Sequence, residues 1–248
     1  MDPKRVALVT GGMGGLGEAI CRKLHGRGFT VVTTYSPTND HAAEWVAEQA
    51  RHGFDIAAYK MDVADYGSCQ EGIMRVLGAT GRIDVLVNNA GITRDASFKK
   101  MTLEDWSLVI HTNLDSVFNM TKFVLHGMLE NQWGRIINIS SVNGQKGAFG
   151  QANYSAAKAG VHGFTKALAL EVANKGITVN TVSPGYLRTA MVTKVPADIL
   201  EKKILPEIPV GRLGEPDEVA GLVAYLCSDE AAFVTGANIA INGGQHMS

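Results

Sequence analysis

From Val6 to Ile241, short apolar runs rich in β-branched residues alternate with segments of helical periodicity, and no proline-rich or low-complexity stretch interrupts them. Such runs suit strands buried on both faces, which a parallel sheet with helices on either side provides. Strands are expected at Val6–Val9, Thr30–Thr34, Ile56–Met61, Val85–Val87, Arg135–Ile139, Ile177–Val182 and Asn238–Ile241. Helices are expected at Glu18–Arg27, His41–His52, Tyr66–Thr80, Asn153–Lys175 and Glu218–Cys227. One further long helix should start at an N-cap, Thr102, with Asp105 three residues on, and run to about Met128 with Asn113 inside it. The rhythm predicts one α/β domain over residues 1–248, a doubly wound parallel sheet with helices on both faces. Only Pro184–Gly214 departs from it, with Pro196, Pro206 and Pro209 around short helical pieces, and reads as a substrate flap.

The junction of the first strand and first helix carries the clearest chemistry. Thr10-Gly11-Gly12-Met13-Gly14-Gly15-Leu16-Gly17 fits a glycine-rich turn that brings backbone N–H groups onto a dinucleotide pyrophosphate at a helix N-terminus. Gly11, Gly15, Leu16 and Gly17 are its candidate contacts. Asn88-Asn89-Ala90-Gly91 follows the fourth strand, and amides and small residues there suit a ligand lying across the sheet edge. Asp62-Val63 ends the third strand, where the carboxylate either accepts from an adenine amino group or caps the next helix. An acidic residue ending the second strand would hold the ribose 2′-hydroxyl of NAD. Here Thr34-Tyr35-Ser36-Pro37 brings no carboxylate before Asp40, so Tyr35 and Ser36 favour NADPH while leaving NADH open.

Tyr154 and Lys158 are four apart in a helical stretch and so share one face. An ammonium beside a phenol is expected to lower the phenol pKa, which makes an acid/base catalyst of it. Charge excludes other classes: 23 basic against 24 acidic residues give no field for nucleic acid or an anionic membrane. No apolar run approaches spanning length, and the expected compartment is the cytoplasm. Cys21, Cys69 and Cys227 are too scattered for a disulfide framework or metal site and are expected as buried side chains.

Thr10-Gly11-x3-Gly15-x-Gly17, Asn88-Asn89-Ala90-Gly91, Ser141, Tyr154-x3-Lys158 and Pro184-Gly185 together resemble the short-chain dehydrogenases/reductases across the whole chain. The resemblance implies a Rossmann-like sheet of about seven strands, a homotetramer and a catalytic set of Asn113, Ser141, Tyr154 and Lys158. Tyr154 would protonate a ketone oxygen and Ser141 hydrogen-bond it. Lys158 would hold ribose hydroxyls, Asn113 would bind a relay water, and Thr189, after Pro184-Gly185, would hold the carboxamide. Within the family, Ala90–Asp95, Gly144–Tyr154 and Asn242–Met247 are similar to bacterial acetoacetyl-CoA reductases of polyhydroxybutyrate synthesis. That similarity implies an acyl-CoA pocket of Asp95, Lys100, Phe149, Gln151 and Tyr186, with Ala148 standing where those relatives have glutamine. The 3-oxoacyl-carrier-protein reductases are the neighbouring branch. Their acidic partner calls for a basic patch before the fifth strand, where this chain has Leu129-Glu130-Asn131-Gln132-Trp133-Gly134. Lys175, near a second docking position, keeps that branch open.

Overall fold

The structure is a computed structural model that describes residues 4–189, 198 and 200–247. Its strands are β1 (Val6–Val9), β2 (Thr30–Tyr35), β3 (Ile56–Lys60), β4 (Val85–Asn88), β5 (Gly134–Ile139), β6 (Ile177–Pro184) and β7 (Asn238–Ile241). Its helices are α1 (Gly15–Gly26), α2 (Ala42–Arg51), α3 (Tyr66–Thr80), α4 (Leu103–Ile110), α5 (Ser116–Asn131), α6 (Val142–Lys146), α7 (Ala152–Val172) and α8 (Pro216–Leu226). The strands pair in parallel in the order β3-β2-β1-β4-β5-β6-β7. The chain steps outward from β1 to β3, then crosses back to β4 on the other side of β1. That reversal opens a crevice at the strands' carboxyl ends, where α/β sheets bind ligands.

Alternation along β1 explains the two layers. Ala7 and Val9 pack with Ile20, Leu24, Val219 and Val223 on one face. Val6 and Leu8 pack with Ile73, Val76, Met120, Val124 and Leu168 on the other. The three cysteines are free and buried, as expected. Burial pushes their thiols up to about 12, so none is a nucleophile at neutral pH.

Thr102 is the N-cap of α4 and accepts from the Asp105 N–H, as its spacing predicts. The long helix expected to follow is interrupted by a π-helical turn, His111–Asp115. The cause is Asn113. Its Nδ2 donates to the Val109 carbonyl at 2.8 Å, which is the acceptor an α-helical Asn113 N–H would use. Helix α1 starts at Gly15 rather than Glu18, α7 gives way to a 3-10 turn at Ala173–Lys175, and α6 had no periodicity long enough to read. Of the flap, residues 190–197 and 199, with Pro196, lie outside the described residues. The rest carries a π turn at Leu200–Ile204 and a 3-10 turn at Leu205–Glu207.

A polar seam crosses the sheet below the crevice. Asn88 Nδ2 donates to Asn138 Oδ1 at 2.8 Å, and Asn138 Nδ2 donates to Thr165 Oγ1 at 2.9 Å. Thr165 and Thr181 hydroxyls then meet at 2.7 Å. All four are buried; Asn88, Asn138 and Thr181 are in register on β4, β5 and β6, and Thr165 reaches them from α7, so the amides share their partners along one line. Asn138→Ala removes the shorter of the two Asn88 Nδ2 bonds, leaving only that to Thr121 Oγ1 at 3.4 Å, and we expect the unfolding free energy to fall by about 1–3 kcal/mol. Urea denaturation checks this; an unchanged midpoint contradicts the seam's role.

Candidate active site

The glycine turn is held open by the sheet beneath it. Thr33 Oγ1 accepts from the Gly12 N–H at 2.9 Å and Thr34 Oγ1 from the Gly11 N–H at 3.3 Å. The Asn89 side chain donates to the carbonyls of Thr10 and Gly11 at 2.9 and 3.2 Å. Thr10 Oγ1 in turn accepts from the N–H groups of Asn89 and Ala90, both at 3.0 Å. Asn89 thus braces β1 against β4. Gly11 needs its left-handed φ of +65°. A Cβ on Gly17 would overlap the Gly11 carbonyl and come within 2.8 Å of Asn89 Nδ2. The N-cap Gly14 makes no side-chain cap, so the first N–H groups of α1 face the crevice as a cradle fit for a pyrophosphate.

Thr189 lies beside this cradle, its Cγ2 3.4 Å from where a Gly15 Cβ would stand. Gly185 lies against Asn242, and its N–H donates to Ile241 O. Asp62 Oδ1 accepts from the Ala64 N–H at 3.0 Å, while Asp65 is the cap of α3. Asp62 is exposed and Val63 buried beside it. At the end of β2, Tyr35 is half-buried, and exposed Ser36 pairs with Thr38 Oγ1 at 3.0 Å.

The four catalytic candidates converge where β4 and β5 end. Ser141 caps α6, accepting from the Asn143 N–H at 3.1 Å. Tyr154 and Lys158 sit on α7, with Nζ 5.7 Å from the phenol ring centroid. Lys158 is only 4% exposed, and its Nζ donates to Ile139 O at 2.8 Å. Burial brings its pKa down to about 8. Asn113 spends its amide on the loop after β4: Nδ2 donates to Ile92 O at 2.9 Å, and Oδ1 accepts from Ile92 N at 3.2 Å. A Cβ on Gly91 would lie 2.5 Å from that Oδ1 and 3.5 Å from Lys158 Nζ, so Gly91 gives both room.

One expectation is corrected. The Tyr154 phenol is held above its ordinary value, because burial outweighs the hydrogen bond with Ser141, and the Asp95 carboxylate adds to the rise. Lys158 aims its ammonium at a backbone carbonyl instead of neutralising a phenolate. The proton therefore stays on Tyr154 at neutral pH, which suits an acid more than a base.

Of the substrate candidates, Asp95 and Gln151 are joined, with Gln151 Nε2 donating to Asp95 Oδ2 at 2.8 Å. Asn143, absent from the sequence reading, extends the chain by donating to Gln151 Oε1 at 2.9 Å. It thereby ties the Asp95 loop to the Ser141 cap, and its place two residues after Ser141 was the available signal. Tyr186 lines a cavity of about 140 Å³ with Leu187, Ile208 and Val210. Phe149 is 97% exposed and Lys100 is exposed, so neither is packed into the site. The described end of the flap is tied down by Glu207, which accepts from Lys146 at 3.0 Å and Gln245 at 3.3 Å. The Lys146 bond, more than that of Gln245, lowers the Glu207 pKa. Among the described residues no helix is long and apolar enough to cross a membrane, and no cluster is placed to hold a metal ion.

The chain matches the short chain dehydrogenase family over residues 5–200. It is 55% identical to an acetoacetyl-CoA reductase of Cupriavidus necator over 244 residues, 98% of this chain and 99% of that protein. It is 57% identical to an acetoacetyl-CoA reductase of Shinella zoogloeoides, over 97% of this chain and 98% of the other. A 3-oxoacyl-[acyl-carrier-protein] reductase of Vibrio cholerae is 45% identical, with 98% of each chain covered.

Because a Gly17 Cβ collides with backbone, Gly17→Ala should distort the cradle. We expect dinucleotide affinity to fall about 5- to 150-fold, the effect of about 1–3 kcal/mol of overpacking. Gly78→Ala, with nothing within 4 Å of its Cβ, should leave it unchanged. Equal affinities in calorimetric titration would remove the cradle assignment.

Proposed function

Since the chain belongs to the short-chain dehydrogenase family, we propose that it reduces acetoacetyl-CoA to (R)-3-hydroxybutyryl-CoA for polyhydroxybutyrate synthesis in the cytoplasm. The observation that carries the reading is the convergence of Ser141, Tyr154 and Lys158 beside the glycine cradle, in a chain matched end to end by acetoacetyl-CoA reductases. Gly11, Gly15, Leu16 and Gly17 would hold the pyrophosphate, Asp62 and Val63 the adenine, and Asn89, Ala90 and Gly91 the dinucleotide where it lies across the sheet edge. Pro184, Gly185 and Thr189 would hold the carboxamide, and Lys158 the ribose. The bound dinucleotide supplies a hydride to the ketone carbon.

Ser141 holds the carbonyl oxygen and Tyr154 gives it a proton, leaving a phenolate. The Lys158 ammonium opposes that new charge, an interaction stronger in the transition state than before it. Asn113 ties the loop after β4 to the π turn between α4 and α5 and would bind the relay water. Asp95 and Gln151 orient the thioester, with Phe149, Lys100 and Tyr186 receiving the pantetheine arm. CoA is preferred over an acidic carrier protein because the end of α5 displays Glu130, with its carboxylate 3.3 Å from His126 Nε2, instead of a basic patch. Hydroxyls at Tyr35 and Ser36, with no carboxylate between Thr30 and Asn39 to repel a 2′-phosphate, support NADPH ahead of NADH. Exposed Leu103, Leu108 and Phe118 on α4 and α5 support a homotetramer, since such apolar faces mark association.

Oxidation of NADPH and NADH with acetoacetyl-CoA, beside the same acyl group on a carrier protein, tests substrate and cofactor together. Turnover of the carrier-protein thioester alone would overturn the CoA reading. Tyr154→Phe should cost about 10²–10⁴-fold in kcat and leave dinucleotide affinity intact, whereas retained turnover removes Tyr154 from the chemistry. A lysine with a lowered pKa is charged below that value and neutral above it. Reduction should therefore decline as pH rises through about 8, where Lys158 loses its proton; a kcat/KM profile flat through that region contradicts the role of its charge.

A further inference from the structure

Beneath the catalytic residues lies a polar contact that the reaction as described does not use. Ser140, buried at the end of β5, donates through Oγ to the Lys158 carbonyl at 2.9 Å. The same oxygen lies 2.8 Å from His162 Nε2, one turn beyond Lys158 on α7. Ser183 Oγ stands 3.5 Å from that nitrogen and donates its own proton to Asn238 Oδ1 at 2.6 Å. Each serine has one proton and has given it away, so both hydroxyls turn lone pairs toward His162. Only an Nε2–H satisfies that arrangement. The opposite tautomer would draw the Ser140 proton off the Lys158 carbonyl.

The consequence reaches the catalytic set through consecutive residues. Ile139 accepts from Lys158 Nζ, Ser140 donates to the Lys158 backbone, and Ser141 caps α6. The end of β5 therefore grips Lys158 at both its ammonium and its carbonyl. We infer that His162, acting through Ser140, is a positioning residue that sets the alignment of Ser141, two residues beyond β5, with Tyr154 and Lys158 on α7. It donates to Ser140 and touches no reacting atom. The charged groups beside it are Lys166 and Lys158, on its own helix, and with burial they lower its pKa. Ser140 and Ser183, which face it from β5 and β6, are uncharged. Neutral His162 thus adds no second positive charge next to Lys158.

The inference rests on the reductase reading, and the two are separable by experiment. His162→Leu removes the donor; His162→Gln returns an N–H at similar reach. With acetoacetyl-CoA and NADPH, the leucine variant should lose about tenfold in kcat, the worth of one neutral hydrogen bond to a positioned group, with KM moved less. The pH midpoint of its alkaline limb should also shift, and the glutamine variant should recover most of both. Ser140→Ala should reproduce the leucine variant, and the double variant should be no worse than either single one, since two residues on one path do not add. Additive losses, or an unmoved kcat and pH midpoint beside a lowered Tm, would reduce His162 to a packing role. If the leucine variant fails to fold, the Ser140→Ala and His162→Gln proteins decide the same questions. The pH midpoint of dinucleotide affinity, read by tryptophan fluorescence, reports the Lys158 environment with no acyl substrate. Failure of the wild-type protein to turn over acetoacetyl-CoA therefore falls on the function alone.

Discussion

Placing a lysine ammonium in the interior is the constraint to which the rest of this site answers. An unpaired buried charge is costly, and it survives only where fixed dipoles replace water. Here the carbonyl of Ile139 supplies one such dipole at 2.8 Å, and it stands where β5 leaves the sheet. Everything that fixes the end of β5 therefore also fixes the ammonium. The pairing with β4 and β6, the Asn88–Asn138 contact and the Ser141 cap all act on that point. The parallel sheet supplies rigidity where catalysis needs it, and the helix that carries the lysine is held to it at two atoms.

The same logic governs the phenol. Burial that lowers the lysine pKa raises that of the tyrosine, so two groups that ordinarily titrate close together are driven apart, the lysine losing its proton well before the phenol does. A pair tuned in this way holds one proton and one positive charge near neutrality without either partner being extreme. The glycine cradle obeys a different rule, excluded volume. Thr33, Asn89 and the Gly11 carbonyl occupy the space that side chains at Gly12 and Gly17 would need, so the turn into α1 can present its backbone N–H groups to a ligand.

The strands and most helices were legible because buried parallel strands write themselves as unbroken apolar runs, as in Val6–Val9 and Val85–Val87. The short-range spacing of Tyr154 and Lys158 and the glycines between β1 and α1 exposed the site for the same reason: each is a local pattern. What escaped was non-local. The π turn depends on the Asn113 side chain taking the Val109 carbonyl, and its further bonds to Ile92 are contacts no periodicity encodes. Asn143 and Ser140 gained their partners only when α7 folded back on β5. The pKa direction of Tyr154 was misjudged because sequence spacing places the lysine nearby but does not say that its Nζ is turned to a carbonyl.

The three cysteines, inert in the chemistry, have a practical meaning of their own. All of them lie in the interior with thiols pushed up to about 12, and the sequence has no others. Thiolate is the form that attacks maleimides, disulfides and peroxides, so the folded chain is expected to react slowly with such reagents. A single cysteine introduced on an outer helix would be the one addressable handle on the molecule, ready for a spectroscopic probe or a surface tether without first stripping the native residues.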